Sequence, residues 1–85
     1  MNTSEIESVV RAFIIEHFLS GRADALTSEG SLLGKAIDST GLIEFVMFLQ
    51  ERFGITVEDD EVVPENFESV KSVTTYVERK LQTKV

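Results

Sequence analysis

The apolar residues of this chain fall into three helical runs separated by polar stretches. Ile6, Val9, Val10, Phe13, Ile14 and Phe18 recur at i, i+3, i+4, i+7, i+8 and i+12, which predicts an amphipathic helix over 4–18. Ser4 and Glu7 stand at the spacing of a capping box for it. A second run, Leu42, Phe45, Val46, Leu49 and Phe53, predicts a helix from about Thr40 to Phe53, closed by Gly54 in the left-handed capping position. Val73, Tyr76, Val77 and Leu81 predict a last helix from a Ser72 cap to Gln82, with Arg79, Lys80 and Lys84 favouring its C-terminal dipole end.

The intervals carry their own signals. Residues 19–37 hold Gly21, Gly30, Gly34 and few apolar anchors, so they read as a long loop pinned by Leu32 and Leu33. Ile55-Thr56-Val57 is too short to predict a strand, and Glu58 to Glu61 is an acidic run suited to a solvated or partner-facing turn. It lacks the alternating carboxylates and central glycine of a calcium loop. Pro64 fits the first position of a short helix through Phe67 or Glu68. The sum is an all-α bundle of three long helices and one short third helix, with a long loop between the first two. At 85 residues it reads as one domain, 1–85.

The second helix holds more apolar side chain than one core face absorbs. Ile43, Met47 and Phe48 lie off its stripe, and Ile43 and Met47 share a ridge with Ser39, four residues apart each time. Glu44 and Glu51 flank that ridge. An apolar strip with an acidic border suits docking by a basic, apolar partner. Core residues lying under the long loop would read the same way, and the pattern alone leaves both open.

Charge and composition narrow the function. Fifteen acidic residues against eight basic ones give a net charge of −7, which disfavours nucleic acid and anionic membrane surfaces. There is no cysteine, hence no thiolate nucleophile and no sulfur-ligated metal. The N-terminal residues show no apolar signal segment and no run reaches membrane-spanning length, so the expected address is the cytoplasm; separately, a monomer is expected. No metal site and no catalytic residue is expected. His17, the sole histidine, has no orienting carboxylate at a recognisable spacing, and Ser39 lacks the Gly-x-Ser-x-Gly elbow of a hydrolase.

What distinguishes Asp38-Ser39-Thr40-Gly41 is its place at the mouth of the second helix. Asp38 or Ser39 capping that helix is the plain reading. A hydroxyl there is also suited to carry a phosphodiester, because free N–H groups and the positive dipole end favour an anion. Gly41, with no side chain, is expected to leave access for an enzyme installing the group.

Ile37-Asp38-Ser39-Thr40, with Glu44, Val46-Met47, Leu49 and Phe53, resembles the acyl carrier protein family over nearly the whole chain. The resemblance implies a right-handed four-helix bundle and assigns to Ser39 a covalent 4′-phosphopantetheine taken from coenzyme A. It gives Asp38 a part in engaging the phosphopantetheinyl transferase and its metal. It implies partner recognition by Thr40, Ile43, Glu44, Met47 and Glu51, the partners being that transferase, an acyl- or aminoacyl-loading ligase and a downstream synthase or transferase. Acyl cargo would be carried as a thioester for a fatty-acid-like or secondary-metabolite pathway. An aminoacyl carrier loaded by an ATP-dependent ligase is the alternative within the family, and an unmodified helical interaction module the alternative outside it.

Thr40 stands where the family usually has an apolar residue, Gly41 where an acid is common, and Gln50 and Arg52 dilute the acidic face. The Asp38-Ser39-Thr40-Gly41 start, with Val63-Pro64-Glu65-Asn66-Phe67 ahead of the last helix, resembles specialised free-standing carriers more than the housekeeping fatty-acid carrier. Six phenylalanines in so small a chain are expected to fill the space between the helices, leaving a short or polar cargo outside.

Overall fold

The computed structural model describes residues 2–19, 21, 30–32 and 37–82, residue 39 by its backbone alone. Four helices run in order: α1 (Thr3–Phe18), α2 (Ser39–Phe53), α3 (Pro64–Phe67) and α4 (Val70–Gln82), with a 3₁₀ turn at Asp59–Glu61. The described residues include no strand, so the chain is an all-α bundle with three long helices and a short third one. None of the described helices is long and apolar enough to cross a membrane.

α1 begins earlier than its apolar pattern suggests. Asn2, not Ser4, is the cap: its side chain accepts the Glu5 N–H at 2.8 Å, and Glu5 returns to the Asn2 N–H at 3.3 Å. Both pairs have capping-box spacing. The earlier one gains a tertiary contact, because the Thr3 hydroxyl in the added turn donates to the Glu78 carboxylate on α4. Ile6, Val10 and Ile14 are fully buried, while Val9, Phe13 and Phe18 pack partly buried around them.

α2 is capped by Asp38 and ends at Gly54, whose φ of 66° and N–H to the Gln50 carbonyl at 2.9 Å make the expected left-handed stop. Phe45, Leu49 and Phe53 enter the core; Leu42, Val46 and Phe48 border it. The chain then returns through buried Ile55, held where the Val57 N–H meets Gln50 Oε1 at 3.0 Å. Gln50 therefore binds the returning backbone.

α3 starts on Pro64 as its fixed φ favours, and delivers Phe67 to the core, fully buried. The cap of α4 is Ser69: its hydroxyl accepts the Ser72 N–H at 3.1 Å, which places Ser72 inside the first turn. Burial decides between the two serines, since starting at Ser69 carries Val70 into the core with Val73, Tyr76 and Val77. α4 packs against α1, α2 and α3, and is the element the others share. Thr74, buried beside that seam, satisfies its hydroxyl on the Val70 carbonyl at 2.8 Å.

Of the long connection before α2, Leu32 and Ile37 are buried, the Leu32 N–H donating to the Glu68 carbonyl at 2.7 Å and the Ile37 N–H to the Leu32 carbonyl at 2.9 Å. Leu32 thus anchors the end of the loop as expected. Leu33 and Lys84 lie outside the described residues.

Candidate functional site

The first turn of α2 faces solvent on one side and the bundle on the other. Asp38 and Thr40 are exposed on either side of Ser39, the first helical residue, and Asp38 Oδ1 accepts the Gly41 N–H at 2.7 Å. That bond satisfies one of the N–H groups a helix start leaves free.

Gly41 does not open a path to the serine. It is buried, and a Cβ placed on it would lie 2.7 Å from Phe18 Cε1, so the missing side chain serves close packing against the end of α1. Nothing in the local pattern separates a glycine facing outward from one facing a ring brought in from an earlier helix.

Beyond this turn, the outer face of α2 is apolar and open. Ile43 is 64% exposed and Met47 55%, which settles their place outside the core. With Leu42 and Val46 from α2, and Asp59 and Val62 from the turn that follows, they line a groove of about 320 Å³. Glu44 and Glu51 are exposed on the same helix. The structure therefore brings Thr40, Ile43, Glu44, Met47 and Glu51 to the accessible surface of one helix. Asp59, from the acidic run, and Val62 form the groove's far wall, and nothing in the sequence pairs them with α2 because they reach it only through the fold.

A network within the acidic run holds that wall in place. Glu58, Asp59 and Asp60 are exposed, but Glu61 turns inward, and its Oε1 accepts from the Glu58 N–H at 3.0 Å, the Tyr76 hydroxyl at 3.0 Å and Lys80 Nζ at 2.9 Å. The Glu61 carbonyl accepts Asn66 Nδ2 at 2.8 Å. The Glu58 N–H, followed by the Lys80 ammonium, holds the Glu61 carboxyl below its ordinary 4.5, whereas burial and then the hydrogen bond to Glu61 push the Tyr76 phenol above its ordinary 10.0.

The opposite side of α2 is aromatic. Phe48 stacks on Phe13 at 3.9 Å between ring centres, and the His17 ring lies on Phe13 at 4.2 Å. His17 thus extends an aromatic stack near the end of α1. Phe13 also meets Phe18 and Phe45, and Phe45 meets Phe67, which contacts Tyr76. Five of the six phenylalanines form one connected array between the helices. Among the described residues, no group of three or more His, Asp or Glu side chains gathers to hold a metal ion.

Comparison with known proteins finds relatives across most of the chain. An acyl carrier protein of Campylobacter hominis is 36% identical over 75 residues, 87% of this chain and 91% of its own. An acyl carrier protein of Akkermansia muciniphila is 32% identical over 80 residues, 93% and 96% of the two chains. A probable acyl carrier protein of a Serratia species, PigG, is 31% identical over 75 residues, 87% and 86% of the two chains. No family model matches.

Proposed function

Because the chain belongs to the acyl carrier protein family, a family of non-catalytic carriers, we propose that Ser39 bears a 4′-phosphopantetheine arm on which it carries acyl intermediates. The observation that carries this is the position of Ser39 at an exposed helix start, with the apolar groove of Ile43 and Met47 along the same helix. The group fits what stands there. A helix start favours a phosphodiester through its N–H groups and positive dipole end, and the exposed Asp38 and Thr40 leave the turn open to solvent. When attached, the arm supplies a terminal thiol that holds cargo as a thioester.

The chain's own residues do three things in this reading. Asp38 caps the helix through one carboxylate oxygen while remaining exposed to the transferase. Ile43 and Met47 offer apolar contact, and Glu44 and Glu51 offer negative charge to basic partners such as a transferase, a loading ligase and a downstream synthase. The Glu61 network holds Asp59 and Val62 against α2 as the second wall of the groove.

The cargo is short or polar and rides outside the bundle, because the aromatic array already occupies the space between the helices. Thr40 and Gly41 after the serine, with Gln50 committed to the Val57 N–H, suit a specialised free-standing carrier. Intact-protein mass after incubation with coenzyme A and a phosphopantetheinyl transferase tests the reading, with Ser39→Ala as its control.

A further inference from the structure

Gly41 lies buried near the start of α2, at the point where that helix meets Phe18, the last residue of α1. A Cβ there would stand 2.7 Å from Phe18 Cε1, 3.4 Å from Phe18 Cζ and 3.1 Å from Asp38 Oδ1. Carbon atoms pack best at about 3.5–4.0 Å, so a methyl group at this position requires a displacement of roughly 1 Å. Gly41 does not take a positive φ, unlike Gly21 and Gly54. Its use is therefore close approach, not backbone freedom.

The half-buried ring on the other side of this contact itself meets a second ring. Phe18 meets Phe13 edge-on at 5.9 Å, and Phe13 is stacked on Phe48, which belongs to α2 itself. Moving the ring aside disturbs that stack; moving the helix start disturbs the Asp38 cap, whose Oδ1 is bonded to the same glycine's N–H. Ring and cap converge on one residue, two positions after Ser39.

We infer that Phe18 and Gly41 are a positioning pair that sets where the backbone of Ser39 stands relative to the recognition face formed by Ile43, Glu44 and Met47. The inference rests on the reading of Ser39 as the attachment residue. In that transfer the serine oxygen bonds to the pantetheine-bearing phosphorus of coenzyme A and the phosphorus–oxygen bond to adenosine bisphosphate breaks. The leaving group departs and the hydroxyl proton passes to a base of the transferase. A misplacement of about 1 Å costs such a step on the order of 100-fold, provided that the reacting atoms must be aligned. Docking on Ile43, Glu44 and Met47, one turn further along, depends less on the helix start than the alignment of the reacting atoms does. A perturbed pair therefore lowers kcat far more than it raises KM.

The test is the rate of phosphopantetheine transfer to the full chain, followed by intact mass at varied carrier concentration, for the parent, Gly41→Ala, Phe18→Leu and the double variant. Alanine is the better helix former, so helix propensity cannot account for a loss in Gly41→Ala. The expected result is a kcat lower by about 10- to 100-fold with KM changed by less than about threefold. Phe18→Leu, which removes the ring atoms in the way, should restore kcat in the double variant to within a few-fold. If circular dichroism shows that Gly41→Ala does not fold, Phe18→Trp, which crowds the glycine from the other side, takes its place with the same loss expected. Unchanged kcat in the crowded variant, or a loss that Phe18→Leu does not relieve, overturns the inference. An unmodified parent overturns instead the reading on which it rests.

Discussion

The Tyr76 hydroxyl donates to Glu61 Oε1 at 3.0 Å, so the acidic turn after α2 is fastened to the last helix at a point where one partner is buried in the core. The turn supplies Asp59 and Val62 to the groove, which makes this bond part of the groove's construction.

The same contact sets a pH dependence at both ends of the scale. The Glu61 carboxyl is held below its ordinary 4.5 in the fold, so its contribution is complete above that value and is lost as pH falls through the depressed folded value. The Tyr76 phenol is held above 10.0, so its contribution is complete below pH 10.0 and is lost as pH rises beyond it. Thermal melts across pH should show Glu61→Gln flattening the acid limb and Tyr76→Phe flattening the alkaline limb. At neutral pH each variant should cost about 1 kcal/mol, the scale of a partly exposed charged or hydrogen-bonded contact. An acid limb of unchanged steepness in Glu61→Gln would remove Glu61 from the account.

The outer face of α2 should separate binding from stability. Ile43→Ser and Met47→Ser change exposed side chains, so melting should stay within about 0.5 kcal/mol of the parent, while affinity for the transferase falls. Glu44→Lys should weaken the same partner and flatten its salt dependence, because it reverses a charge that draws the two together. Titration calorimetry at two ionic strengths reads both effects. Unchanged affinity in all three variants would tell against this face as the docking surface.

Cargo size is open to a thermal test. A covalently attached chain sheathed between the helices would stabilise the fold by burying its apolar surface, whereas a cargo outside leaves it unchanged. Loading the holo protein with short and long acyl groups should give the same melting temperature within about 2 °C, since 1 kcal/mol shifts a domain of this size by about 4–8 °C. A markedly more heat-stable long-acyl form would show that the aromatic array yields space.

Much of this architecture was legible in the sequence, for a local reason. The 3.6-residue period fixes α2 and the inner stripe of α1, Gly54 and Pro64 mark ends through their own backbone preferences, and of the three apolar residues off the α2 stripe Ile43 and Met47 are exposed while Phe48 packs on Phe13. What was not legible depends on contacts between distant residues. Asn2 and Ser4 have equal capping credentials until Thr3 is seen to meet Glu78, and Ser69 outranks Ser72 only because Val70 is buried. Gly41 reads as an open door until Phe18 arrives beneath it, and Glu61 reads as one more solvated acid until Lys80 and Tyr76 reach it from α4. Gln50 counts as a lost acid on the surface until the Val57 N–H is found on it.

Intact mass decides whether Ser39 is the residue that bears the phosphopantetheine arm. The apo chain and its Ser39→Ala variant are each incubated with coenzyme A and a phosphopantetheinyl transferase, and the intact masses are recorded. One added phosphopantetheine is expected on the parent and none on Ser39→Ala. No addition to the parent, or addition that survives in Ser39→Ala, would contradict that role of Ser39.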